Sequence, residues 1–77
     1  MKVLIVEDEQ ELLDLMLRYM KREGYVCEYA TSFKEGFKKI NNYEYDCAII
    51  DLNLPGGDGL KLVNMLREDN TDRKSVV

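Results

Sequence analysis

Two short stretches of the chain carry residues able to do chemistry. Val6 is followed by Glu7-Asp8-Glu9, and the apolar run Cys47-Ala48-Ile49-Ile50 ends in Asp51. Asp51 opens the stretch D-L-N-L-P-G-G-D-G, which closes at Gly59. A carboxylate at the end of a hydrophobic run costs stability unless something partners it. Carboxylates that converge also repel: two unit charges about 4 Å apart cost roughly 4 kcal/mol at an effective dielectric near 20. Such a site protonates, spreads apart or takes up a cation. A hard divalent ion suits it, and Mg²⁺ fits a few carboxylates plus waters. Asp8 and Asp51 are the expected direct ligands, with Glu7 acting through a water. An exposed carboxylate beside Mg²⁺ can also act as a nucleophile and carry an acyl phosphate. Glu9 reads differently, as a negative charge in the first turn of a helix.

These acids converge only if the intervening elements bring them to one rim. Lys2 to Val6 is short, apolar and β-branched, as in a strand buried on both faces. A helix is predicted from about Gln10 to Arg22, with Leu13, Met16, Leu17 and Met20 on one face and Leu12 and Tyr19 widening the stripe. Gly24 terminates it. Tyr25 to Ala30 is a second strand, and Glu28 marks it as an edge. Ser32 and Glu35 form a capping box for a second helix ending near Ile40. Phe33, Phe37 and Ile40 are its expected apolar face, and Gly36 weakens it by about 1 kcal/mol. Cys47 to Ile50 is a third strand. Asp58 or Gly57 opens a third helix running through Arg67, with Leu60, Val63, Leu66 and Met65 inward and Asp58 as its cap. Ser75-Val76-Val77 reads as the opening of a fourth strand. Alternating strands and amphipathic helices predict an α/β fold, a parallel sheet with helices on both faces. Right-handed crossovers put the third strand beside the first, so Asp51 joins Glu7 and Asp8 on the carboxyl rim, where such sheets bind ligands.

Composition removes several alternatives. The 77 residues suffice for one small domain, residues 1–77. The net charge is -4 and the basic residues are scattered, so no nucleic acid binding is expected of this chain. There is no histidine, which excludes a histidine-based triad and most zinc chemistry. Cys27 and Cys47 lie in apolar runs and read as buried free thiols of a reducing compartment. The first strand starts at Lys2 with no signal peptide before it, and no apolar run approaches a membrane span, so the expected location is cytoplasmic. Asp51, Asn53 and Gly56 match three positions of a calcium-binding EF loop, but Leu62 stands where the loop needs a bidentate glutamate. Acids rather than glycines follow the first strand, and no G-K-[ST] follows any strand, so nucleotide-binding loops are absent too.

K-V-L-I-V-E-D-E at Lys2 to Glu9 and D-L-N-L-P-G-G-D-G at Asp51 to Gly59 resemble two segments of the receiver domain of bacterial two-component response regulators. The resemblance spans all 77 residues. It implies a three-layer α/β/α flavodoxin-like receiver fold with strand order 2-1-3-4-5, truncated within the fourth strand. It implies that Asp51 accepts a phosphoryl group from a phosphohistidine of a sensor histidine kinase or a histidine phosphotransfer protein. Glu7 and Asp8 would be the acidic pair of the Mg²⁺ site and Asn53 would offer its backbone carbonyl. Pro55, Gly56 and Gly59 would shape the loop. Full-length relatives are often fused to a DNA-binding domain and regulate transcription. The family's Ser or Thr after strand four and Lys after strand five fall beyond Val77, so the chain is expected to be catalytically crippled, with self-association through the open edge of the third strand. Gly57 stands where the family often has a larger residue and is expected to loosen the loop. A non-catalytic interaction module of the same fold would share these features. A Mg²⁺-dependent aspartyl phosphatase would want an acid at position 53, and Asn53 cannot donate a proton in that role.

Overall fold

A computed structural model describes residues 1–69; the expected fourth strand at Ser75 to Val77 lies outside them. The elements are β1 (Lys2–Val6), α1 (Gln10–Arg22), β2 (Val26–Ala30), α2 (Phe33–Asn42), β3 (Cys47–Ile50), β4 (Asn53–Leu54), β5 (Gly57–Asp58) and α3 (Gly59–Asp69). The three longer strands form a parallel sheet in the order β2-β1-β3. β1 is central and Val3 to Val6 are fully buried, which is why that run has no polar alternation.

The strand period of two divides the core into two layers. Leu4, Val6, Ala30, Ala48 and Ile50 pack under α2 and α3 with Ile40, Leu62, Val63 and Leu66. Val3 and Ile5 face the other way and meet Leu13 of α1, with Met16, Leu17, Met20, Cys27, Cys47 and Ile49 partly buried around them. Cys27 and Cys47 are free and half-buried rather than fully buried, and burial pushes both thiols up. No helix among the described residues is long and apolar enough to cross a membrane.

The helix ends follow their sequence signals. α1 closes with Gly24 at φ +89°: the Gly24 N–H donates to Lys21 O and the Tyr25 N–H to Met20 O. These are the two bonds of a Schellman motif. Ser32 Oγ caps α2 by accepting from the Glu35 N–H. Glu35 does not return the bond to Ser32; its carboxylate accepts from the Thr31 N–H and the Thr31 hydroxyl, one residue further back.

Three side-chain placements differ from the periodicity reading. Leu60 is exposed and Leu62 is fully buried, because α3 starts at Gly59 and its inward face is Leu62, Val63 and Leu66. Phe37 is largely exposed. The inward position beside it belongs to Gly36, where a Cβ would sit 3.0 Å from Leu62 Cδ1 and 3.3 Å from Val6 Cγ1. Gly36 therefore trades helix propensity for close approach of α2 to α3 and β1. Leu12 and Tyr19 also lie outside the buried face of α1.

Glu28 on the edge strand β2 holds the other polar cluster. It pairs with Lys2 at 3.2 Å and Lys39 at 3.3 Å and accepts from the Tyr45 hydroxyl at 2.7 Å. The Tyr45 bond, ahead of the two lysines, holds the Glu28 carboxyl below its ordinary 4.5. Burial and the Glu28 bond push the Tyr45 phenol up. Glu28→Gln is expected to cost about 1 kcal/mol at neutral pH, a charge-assisted hydrogen bond plus two partly exposed ion pairs. A lowered folded pKa stabilises above the unfolded value, and the gain is lost as pH falls through the folded value. Urea midpoints of the two proteins should therefore converge in acid below about 4.5; a gap that persists there would mean the charge is not responsible.

Candidate functional site

The register of β1 against β3 builds the site. Val3 pairs with Cys47 and Val6 with Ile50, so the next residues on each strand, Glu7 and Asp51, leave the sheet side by side. The Asp51 N–H donates to Val6 O at 2.9 Å and the Glu7 N–H to Ala30 O at 3.0 Å, which extends both ladders by one bond. Asp8 follows. One carboxylate oxygen from each of Glu7, Asp8 and Asp51 lies within 4.8 Å of the others. The three acids singled out from the sequence are thus one cluster.

Their environments differ. Glu7 is 8% exposed, Asp51 is half-buried and Asp8 is exposed. Burial pushes the Glu7 carboxyl above the ordinary carboxylate range; the Glu9 N–H opposes this, while the charges of Asp51 and Asp8 add to it. That N–H donates to Glu7 Oε2 at 3.1 Å. Asp51 Oδ1 accepts from the Asn53 N–H at 3.0 Å, a bond that sets the carboxylate's orientation. Three oxygen donors at one rim, two of them solvent-accessible, fit a hard cation that keeps several waters.

The loop after Asp51 is more ordered than turn chemistry alone predicts. Asn53–Leu54 and Gly57–Asp58 form a two-stranded antiparallel ribbon. Pro55 and Gly56 make its turn, with Gly56 at φ +84°, as a type II turn requires. Asp58 Oδ1 accepts from the Leu60 N–H at 2.9 Å and caps α3, as expected. The ribbon and Asp8 line a shallow cleft at the rim. Gly57 makes room for a neighbouring ring. The space a Cβ would need there is taken by the Phe33 ring, and the Phe33 N–H donates to Pro55 O at 3.3 Å. Phe33 was legible only as a helix-face residue; its part in bracing the loop depends on the missing side chain at Gly57.

Gly59 has the tightest surroundings in the loop. A Cβ there would overlap Asp51 O and stand 2.9 Å from Leu52 Cα. These are backbone atoms and cannot rotate away. Gly59→Ala is therefore expected to destabilise the fold by about 2 kcal/mol or more and to displace Asp51. Chemical denaturation should show the loss; wild-type stability in this variant would mean that α3 can shift without cost.

Residues 3–77 match the sequence pattern described as Response regulator receiver domain. The chain is 44% identical over 71 residues to the regulatory protein VanR of Enterococcus faecium, covering 91% of this chain and 30% of VanR. It is 41% identical over 70 residues to the transcriptional regulatory protein PmrA of Pectobacterium parmentieri, covering 91% of this chain and 32% of PmrA. The chain thus spans about a third of the length of these curated relatives. Among solved structures it is similar to the response regulator TrrA of Thermotoga maritima in complex with Mg²⁺ and BeF, with a TM-score of 0.88 and 31% identity over 96% of this chain and 64% of that one. TrrA also occurs in complex with the histidine kinase ThkA, where the TM-score is 0.85. A parallel β2-β1-β3 sheet carrying Glu7, Asp8 and Asp51 on its carboxyl rim, with the family pattern running from residue 3 to residue 77, makes this chain a member of the response regulator receiver domain family, a three-layer α/β fold of signal transduction.

Proposed function

We propose that the chain is a phosphoacceptor of two-component signalling, with Asp51 as the phosphorylated residue. The observation that carries this reading is the convergence of Glu7, Asp8 and Asp51 within 4.8 Å at the sheet rim. The donor in this reading is a phosphohistidine of a sensor histidine kinase or a histidine phosphotransfer protein, and the recorded complex of TrrA with its kinase supports that pairing. The Asp51 oxygen that does not accept the Asn53 N–H attacks phosphorus. The P–N bond breaks, its electron pair stays on the imidazole, and that nitrogen takes up a proton. The acyl phosphate replaces one carboxylate charge by nearly two at a rim that is already acidic, enough to rearrange the adjoining loop.

Asp8 and Asp51 would hold Mg²⁺ directly, Asn53 through its backbone carbonyl and Glu7 through a water. The ion, when bound, neutralises the carboxylates and the phosphoryl oxygens together. In a longer protein the receiver would control a transcription-regulating output domain, a reading that the similarity to the transcriptional regulatory protein PmrA supports, and would work in the cytoplasm.

Borohydride reduction after incubation with a phosphoryl donor, followed by mass spectrometry, should mark Asp51, and Asp51→Asn should remove the mark. A label that persists at another residue in Asp51→Asn would overturn the assignment. No label at all would favour the reading of the domain as a non-catalytic interaction module.

The metal has its own test. An ion that binds only the folded chain raises its thermal midpoint by mass action. Mg²⁺ is expected to raise the midpoint of the 77-residue chain, with affinity reduced about tenfold or more in Asp8→Asn. Unchanged Mg²⁺ dependence in that variant would remove Asp8 from the site.

A further inference from the structure

The ribbon after Asp51 carries two groups that the proposed cation site needs. One is the Asn53 N–H, which orients the Asp51 carboxylate at 3.0 Å, and the other is the Asn53 backbone carbonyl. The ribbon's own strands, Asn53–Leu54 and Gly57–Asp58, are two residues each. A hairpin that short is not stable by itself, so other contacts must hold it. Leu54 is buried in the α2–α3 layer and anchors the first strand. The second strand rests on Phe33. We propose that Phe33 is a positioning residue for the acidic site: its ring, seated against Gly57, fixes the ribbon and thereby sets the affinity for a divalent cation.

The contact explains why position 57 is a glycine. Among the described residues only Gly24 and Gly56 have a positive φ, so the backbone at Gly57 does not exclude a side chain. The ring does. The three atoms nearest to a Cβ built at Gly57 are Cγ, Cδ1 and Cδ2 of Phe33, all at overlap distance. The ring thus fills the volume that a side chain at position 57 would take. The Phe33 N–H also donates to Pro55 O at 3.3 Å. Ring and backbone of one residue therefore hold the residues on either side of Gly56, the turn of the ribbon.

Phe33 can serve as a support because it is itself held. It is the first residue of α2, directly after the Ser32 cap, whose Oγ accepts the Glu35 N–H at 3.2 Å. The Glu35 carboxylate in turn fixes Thr31. Phe37 lies one turn on, its ring centroid 6.1 Å from that of Phe33 and its plane tilted by 37°. Phe37 is 43% exposed, and its place beside Phe33 restricts that ring rather than filling the core. These contacts all lie between Thr31 and Gly59. The proposal rests on the reading of Glu7, Asp8 and Asp51 as a cation site. Groups that orient a metal ligand without touching the metal commonly change its affinity by about ten- to a hundredfold.

Calorimetric titration of the protein with Mg²⁺, well below its thermal midpoint, tests the proposal. Phe33→Ala is expected to weaken Mg²⁺ binding about tenfold. Amide hydrogen exchange should quicken more at residues 52–58 than in β1 and β3. An exchange of volume supplies the second variant. Gly57→Leu alone should lower both stability and Mg²⁺ affinity, because the new side chain meets the ring; combined with Phe33→Ala it should recover most of both. Unchanged Mg²⁺ affinity in Phe33→Ala overturns the proposal, as does hydrogen exchange that quickens equally throughout the chain, the behaviour of an ordinary core residue. A double variant no better than the worse single one overturns the seat of the ring against Gly57. Absence of Mg²⁺ binding by the unsubstituted protein refutes the cation site itself, and the proposal with it.

Discussion

The alignment of β3 with β1 is the constraint on which the rest depends. A shift of one residue would move Ile50 out of the α2–α3 layer and carry Asp51 away from Glu7, because side-chain direction alternates along a strand. Register is held by burial. Val6 and Ile50 belong to one core layer, Ile5 and Ile49 to the other, and neither set fits the opposite side. The placement of the acids is thus a by-product of apolar packing. The repulsion among them is tolerated because burial of the apolar residues on both strands favours this register.

Glycines make the second contribution, by absence of side chains rather than by flexibility. Gly59 lets α3 start against the Asp51 backbone, and Gly57 leaves room for the Phe33 ring. Through Phe33, the start of α2 is tied to the loop that follows Asp51. A change of charge at Asp51 would therefore be felt by two elements, the α3 start through Gly59 and the α2 start through the ribbon. Gly36 lets the same two helices come close over Val6.

What was legible in the sequence follows the same division. The strands, their parallel order and the acidic cluster could be read because burial on both faces leaves an unmistakable apolar run, and because an acid that ends such a run is conspicuous. The inward residue of α3 was misread because Leu60 and Leu62 are both leucine, and only the helix start at Gly59 sets which of them faces the core. The ribbon at Asn53 to Asp58 was hidden because strands of two residues carry no periodicity. Gly36 reads as a helix defect until its neighbours Leu62 and Val6 are known. Close approach is a property of pairs of elements, and one position of a sequence does not carry it.

The two polar clusters of the fold show why the rim is the reactive place. Around Glu28 the carboxylate is fully answered: two ammonium groups and a phenol meet it, and its pKa moves down. At the rim three carboxylates meet, the most buried of them moves up, and the contacts that compensate are backbone N–H groups from Glu9 and Asn53. The first arrangement is complete in itself and serves stability. The second is consistent with the fold but not with its own charges, and a local inconsistency that the rest of the structure holds in place is the expected mark of a functional site. Among the described residues no cation pairs with these three carboxylates, and it is this unanswered charge on which the proposed function rests.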